Sequence, residues 1–289
     1  MIEFRNVCFA YYKENILENI NLTINDGEFI AIVGRNGAGK TTLMKLFNGL
    51  LKPTSGTVFV DGLDTNVAKT SELAAHVGFL FQNPDRQICR NTVKAEIEFG
   101  LKCILKDKVE IEERCQTTID NFGFIADKDP FSLSRGERQK VALASVLALK
   151  PRIMVLDEPT TGLDYKECMQ IMEVVKELNS KGTTVIMVCH DMELVSDFAN
   201  RVIVIGDRGV LADGECKCVM TNDSVLRRTS LAPPQIAQLG IRLGKAFDGI
   251  LTVEEMADRI ESHKCSTVRI ESDKCGTDRI DCDKCGLVG

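Results

Sequence analysis

Phe29-Ile30-Ala31-Ile32-Val33 followed by Gly34-Arg35-Asn36-Gly37-Ala38-Gly39-Lys40-Thr41-Thr42 decides the fold. Five consecutive apolar residues predict a strand covered on both faces, because a solvated face would demand alternation. The next stretch fits G-x-x-x-x-G-K-[ST] at each fixed position, Gly34, Gly39, Lys40 and Thr41. The apolar-periodic run Thr42–Leu51 then predicts a helix. In such a strand–loop–helix unit the glycines let successive backbone N–H groups turn inward onto phosphate oxygens. The new helix adds its positive end. Lys40 would reach the β- and γ-phosphates of a nucleoside triphosphate, and the Thr41 hydroxyl would ligate Mg²⁺. Arg35, Asn36, Gly37, Ala38 and Thr42 complete the nucleotide-binding loop.

Strand patterns flank this unit at residues 2–9, 15–24, 57–60, 77–81, 153–156, 184–189, 201–205 and 209–213, with helical periods between several of them. Val93, Ile97, Leu101 and Leu105 fall on one helical stripe, and a second helix is expected near 109–122. Residues 88–149 therefore read as a helical insertion between strand-rich halves. Alternation of this kind predicts an α/β fold with a mostly parallel sheet and helices on both faces. The 289 residues carry 36 Lys+Arg against 42 Asp+Glu, a formal charge of −6. That balance disfavours general binding to nucleic-acid backbones, which rests on clustered cations. No apolar run approaches bilayer-spanning length, and the first fifteen residues are too polar for a secretory signal.

A second chemical centre is expected at Ile153-Met-Val-Leu-Asp157-Glu158. Two carboxylates ending a strand would, alone, read as a solvated turn. Combined with a phosphate loop they read as chemistry: Asp157 placed to hold Mg²⁺ through water, and Glu158 as the general base for an attacking water. His190 follows the strand Thr184–Cys189 and so stands at the carboxyl edge of the sheet, where open α/β folds bind ligands. Its ring could bond the γ-phosphate or orient the water. Gln82, after the strand ending at Phe81, is similarly placed to sense Mg²⁺ or water.

This ordered set resembles the ATP-binding cassette (ABC) ATPases over residues 1 to about 220. The resemblance implies a P-loop nucleotide hydrolase with a mixed β-sheet core, a helical subdomain, and ATP and Mg²⁺ as cofactors. Ser134-Arg135-Gly136-Glu137 resembles the family signature, which contacts the γ-phosphate held by the opposite subunit. The same four residues also make a capping box, Ser134 at the N-cap and Glu137 three residues on. Arg135 stands where the family usually has Gly, and Glu137 where it has Gln, which puts the activity of this signature in question. Tyr11 resembles the adenine-stacking aromatic, with Tyr12 as the alternative. Thr161-Gly-Leu-Asp164 resembles the loop that couples the two sites, with Asp164 as its dimer contact. One set of motifs per chain implies a head-to-tail pair with a second ABC ATPase subunit.

Phe81-Gln-Asn-Pro-Asp-Arg-Gln-Ile88 with Asn91–Leu101 resembles the ATPases of energy-coupling-factor importers of vitamins, cobalt and nickel. That resemblance implies two membrane partners, a transmembrane coupling subunit and a substrate-binding subunit. It implies a peripheral site on the cytoplasmic side of the cell membrane, and no nucleic-acid partner. The rival reading is a soluble cassette acting on DNA or ribosomes. The interval from Thr41 to Ser134 is too short for a long coiled coil, and ribosome-type members usually carry two cassettes in one chain. A regulatory module without turnover would lack Glu158 or Lys40, and both are present. The expected organisation is an ATPase domain at 1–230, a helical extension at 231–260 beyond Pro233-Pro234, and a tail at 261–289. The extension resembles one that helps hold the family's dimer together. The tail repeats with a period of ten and carries Cys265, Cys275, Cys282 and Cys285. It reads either as a disordered repeat with free thiols or as four thiolates for zinc.

Overall fold

The computed structural model describes residues 1–229, 231–247 and 249–262. In chain order the elements are β1 (Ile2–Tyr11), β2 (Glu14–Ile24), β3 (Phe29–Val33), α1 (Lys40–Phe47), β4 (Ser55–Val60), β5 (Leu63–Asp64), α2 (Thr70–Leu73) and β6 (Val77–Leu80). The helical insertion supplies α3 (Val93–Ile104), α4 (Lys108–Phe122) and α5 (Arg135–Leu147). After it come β7 (Ile153–Asp157), α6 (Tyr165–Ser180), β8 (Thr184–Val188), α7 (Met192–Phe198), β9 (Arg201–Gly206), β10 (Gly209–Glu215), α8 (Cys216–Met220), α9 (Asp223–Thr229) and α10 (Gln235–Leu243).

Two sheets share these strands. The larger has the order β10-β9-β3-β8-β7-β6, parallel throughout except for the antiparallel β9–β10 pair. In it β3, β7 and β8 are buried at every residue, as their unbroken apolar runs require. The smaller sheet, β2-β1-β4-β5, is antiparallel. The mostly parallel sheet expected from the alternation is thus the larger of two sheets, and together they make the mixed core. The strands β1, β2 and β4 bury one face and solvate the other, which suits an antiparallel sheet.

Helix α1 lies in one hydrophobic cluster with both sheets: Leu43, Met44, Leu46 and Phe47 share it with Phe4, Val58, Ile32 and Val155. The Phe4 and Phe47 rings meet edge to face, 5.1 Å between centroids. The helix ends at Phe47 rather than continuing to Leu51, because Gly49 turns the chain at φ +67°. Likewise α3 ends at Ile104, with Leu105 as an extended C-cap. The chain divides into two compact units between Pro233 and Pro234. The second contains α10 and a further helix over 253–262. Of the 261–289 tail, the four cysteines and both readings of them lie outside the described residues.

Candidate active site

The phosphate loop joins β3 to α1, and its path depends on Gly34. That residue leaves the strand at φ +152°, and a Cβ there would sit 2.2 Å from the Ile205 carbonyl oxygen of β9. Lys40, buried at the first turn of α1, donates through Nζ to the carbonyls of Gly34 (2.7 Å) and Arg35 (3.0 Å). The ammonium is thus folded back along the loop. Burial pulls the Lys40 pKa below the ordinary lysine value, opposed by the nearby Glu158 and Asp157 charges.

The strands β3, β8, β7 and β6 are neighbours in that order, so their carboxyl ends deliver the loop, His190, Asp157-Glu158 and Gln82 to one edge. There a cavity of about 760 Å³ is lined by Tyr11, Ile16, Asn36, Gly37, Gly39, Lys40, Thr41, Thr42, Gln82, Glu158 and His190. Gly34, Arg35 and Ala38 belong to the loop but do not line it. Arg35 and Ala38 face a smaller cavity beside Ile205 and Arg208. Asp157 lies beneath the floor, 5 % exposed, and takes a hydrogen bond from Thr41. Burial raises its pKa above the usual carboxylate value, the Glu158 charge adds to this, and the Thr41 bond opposes it.

Glu158 is the most constrained group in the cavity. Its backbone is left-handed at φ +50°, and its N–H donates to the Val188 carbonyl at 3.0 Å, one residue past the end of β7. Its Oε2 accepts from Gln82 Nε2 (2.6 Å) and Thr161 Oγ1 (3.0 Å), while Oε1 lies 3.0 Å from His190 Nε2. A carboxylate held from three sides and facing a phosphate-sized cavity can take a proton from a water with little reorganisation. Tyr11 packs edge-on against Phe9 at 4.8 Å and borders the cavity. Tyr12 is fully exposed and does not line it.

Thr41, Asp157 and the Gln82 amide oxygen would offer an all-oxygen donor set, which suits Mg²⁺. Among the described residues no group of three His, Cys, Asp or Glu could hold a metal ion. A cation here would therefore complete its shell with phosphate and water oxygens.

Ser134, Arg135, Gly136, Glu137 and Asp164 are absent from the cavity lining of their own chain. The capping box forms as expected: Ser134 Oγ accepts from Glu137 N at 3.2 Å, and Glu137 Oε2 accepts from Ser134 N at 2.8 Å. Hydrogen bonding from the Ser134 hydroxyl, and then from its backbone N–H, holds the Glu137 carboxyl below its ordinary pKa. The Arg135 guanidinium lies over Gly162, whose Cβ position would be 3.2 Å from Arg135 Nε. Asp164 caps α6 by accepting from Glu167 N at 2.8 Å. Two contributors escaped the sequence reading. Ile16 lines the cavity from β2, beside Tyr11 on the paired strand. The Thr161 hydroxyl reaches Glu158, and the spacing T-x-x-D carries no signal for that bond.

The ABC transporter family model matches residues 17–161. An ABC transporter ATP-binding protein of Caldanaerobacter subterraneus subsp. tengcongensis is 46 % identical over 260 residues, 89 % of this chain and 45 % of that protein. The chain thus spans a little under half the length of that relative. An energy-coupling factor transporter ATP-binding protein of Acetivibrio thermocellus is 40 % identical over 260 residues, covering 87 % of this chain and 92 % of that one. Among solved structures, cbiO1 of Clostridium perfringens, part of the ABC transporter complex cbiONQ, aligns with a TM-score of 0.71. It is 31 % identical and covers 84 % of this chain and 98 % of its own.

Proposed function

From the premise that this chain belongs to the ABC transporter ATPase family, we propose that it is the ATP-binding and hydrolysing subunit of a membrane importer of the energy-coupling-factor type. The observation that carries the reading is the constellation around Glu158: Gln82, Thr161 and His190 hold its carboxylate beside the Lys40–Thr42 loop. The importer class draws on the Acetivibrio relative, aligned over nearly its whole length, and on the Clostridium structure.

In this mechanism Tyr11 borders the adenine and the backbone of residues 34–42 binds the phosphates, with Lys40 on the β,γ pair. Thr41, Asp157 and Gln82 would hold Mg²⁺, which supplies neutralisation of phosphate charge. Glu158 accepts the proton of the attacking water, and His190 orients that water against the γ-phosphate. Ser134, Arg135, Gly136 and Glu137 serve the nucleotide of a second ABC ATPase subunit, a copy of this chain or a close relative, with Asp164 at the junction. ATP closes the pair; hydrolysis reopens it and resets a transmembrane coupling subunit, which works with a substrate-binding membrane subunit. The protein sits peripherally on the cytoplasmic side of the cell membrane.

Affinity purification of the tagged chain from detergent-solubilised native membranes tests the reading. Recovery of a polytopic membrane protein together with ATPase activity is expected. Recovery with ribosomes or DNA instead would overturn it.

A further inference from the structure

The segment between Gln82 and α3 is gripped at several points. Gln82 bonds Glu158 at 2.6 Å. Gln87 Oε1 accepts from Phe81 N at 3.1 Å, and its Nε2 donates to the Ala142 carbonyl of α5 at 3.0 Å. Four residues earlier on α5, and so on the same helix face, Arg138 Nε lies 3.0 Å from Asp85 Oδ1. The same guanidinium donates through Nη1 to the carbonyls of Leu133 (3.2 Å) and Phe131 (3.4 Å), immediately before Ser134. Its Nε–H is buried with no aligned acceptor, so the Asp85 contact is an ion pair short of a full hydrogen bond. A small displacement of Asp85 would complete it.

One side chain thus holds both the segment that carries Gln82 and the turn that carries Ser134. The planar fork of Arg, with donors in several directions, suits such a bridge; Lys would offer a single point charge. Asp85 is half exposed, so the pair adds little to stability and its value is geometric.

We infer that Arg138 is a positioning residue that couples the Glu158–Gln82 contact to the Ser134 turn within one chain. Rearrangement of Gln82 at one nucleotide is thereby passed to the signature that serves the other. This rests on the proposed head-to-tail pairing, and the two can fail separately.

The test uses the full chain carrying Glu158→Gln, with Mg-ATP-driven dimerisation followed by analytical ultracentrifugation. Monomer affinity is measured with fluorescent trinitrophenyl-ATP at low protein concentration. Arg138→Gln and Asp85→Asn should each raise the protein concentration for half-dimerisation about tenfold, while monomer affinity stays within about twofold. The double variant should be no worse than Arg138→Gln alone, because both changes break one bridge. Arg138→Lys should recover part of the loss. If Arg138→Gln lowers the melting temperature, the exposed Asp85→Asn decides. Dimerisation by Asp85→Asn within twofold of the parent, or losses that multiply in the double variant, overturns the inference. Failure of the Glu158→Gln parent to dimerise overturns the pairing itself.

Discussion

In the proposed mechanism Glu158 concentrates the chemistry into one residue. A left-handed backbone at a residue with a Cβ costs about 1–2 kcal/mol, and such strain persists where the surroundings fix it. Here it aims the carboxylate at Gln82, Thr161 and His190 rather than along the strand. Glu158→Gln keeps the shape and hydrogen-bonding capacity but removes the base. ATP turnover should fall by about 10²- to 10⁴-fold, with ATP affinity preserved and a closed dimer accumulating, as read by phosphate release and gel filtration. Native-rate hydrolysis would show the base to be misassigned. Asp157 answers to a different force. Its folded pKa is raised by burial and by Glu158, so the unfolded chain ionises it more readily. The stability it contributes is present at acid pH and is lost as pH rises through the folded pKa. At neutral pH without nucleotide, Asp157→Asn should therefore raise the melting temperature, by about 2–4 °C per kcal/mol relieved. The gain should vanish below the ordinary Asp range, and stabilisation by Mg-ATP should be lost. Equal melting temperatures at neutral pH would refute the burial argument.

Among the elements, α3 shows how the helical insertion anchors the approach to the site. Glu96, 4 % exposed, takes both the Cys89 and Arg90 N–H groups on Oε2 at 2.9 Å, while the Arg90 guanidinium lies 4.1 Å from the Phe99 ring centroid. Glu96→Leu fills the volume but removes the acceptor from two part-buried donors, so it should cost about 0.5–1.5 kcal/mol for each in urea unfolding, with faster amide exchange at residues 83–91. Unchanged exchange there would mean that the loop is held by other contacts. The elements that carry the site were legible because β3, β7 and β8 are apolar at nearly every residue, and each ends in a chemically distinct group. Membership of the second sheet was not. Register shifts between Phe4 and Val7 and again before Phe9 break the alternation of β1, so the pattern marked a strand without its neighbours. The Arg138–Asp85 contact was hidden because it joins segments far apart in the chain, and the local Thr161 and Glu96 bonds were hidden because they depend on backbone turns that the residue pattern does not mark.

At the scale of the whole molecule, the Ser134–Glu137 turn does not line the cavity of its own chain, and in the proposed mechanism it serves the cavity of a second subunit. Arg135 makes the strongest test of that arrangement. It occupies the first position of α5, where a cation opposes the helix dipole. Among the described residues it has no ion pair; it rests over Gly162, whose φ of +81° already favours glycine. An exposed cation at this position is placed to meet an anion supplied from outside the chain. Arg135→Glu reverses the charge in the direction the helix prefers, so folding stability should hold or rise, by up to about 1 kcal/mol. Phosphate recognition in a partnered site should nevertheless be lost. Lys40→Ala removes the opposite half, the grip on the nucleotide in the chain's own loop. Neither variant should hydrolyse ATP alone. Mixed, they form pairs in which the intact loop of one chain faces the intact signature of the other, so turnover should return. If both halves of a site came from one chain, every site in the mixture would carry a defect. Silence on mixing two folded variants that dimerise would therefore refute shared sites between copies of this chain.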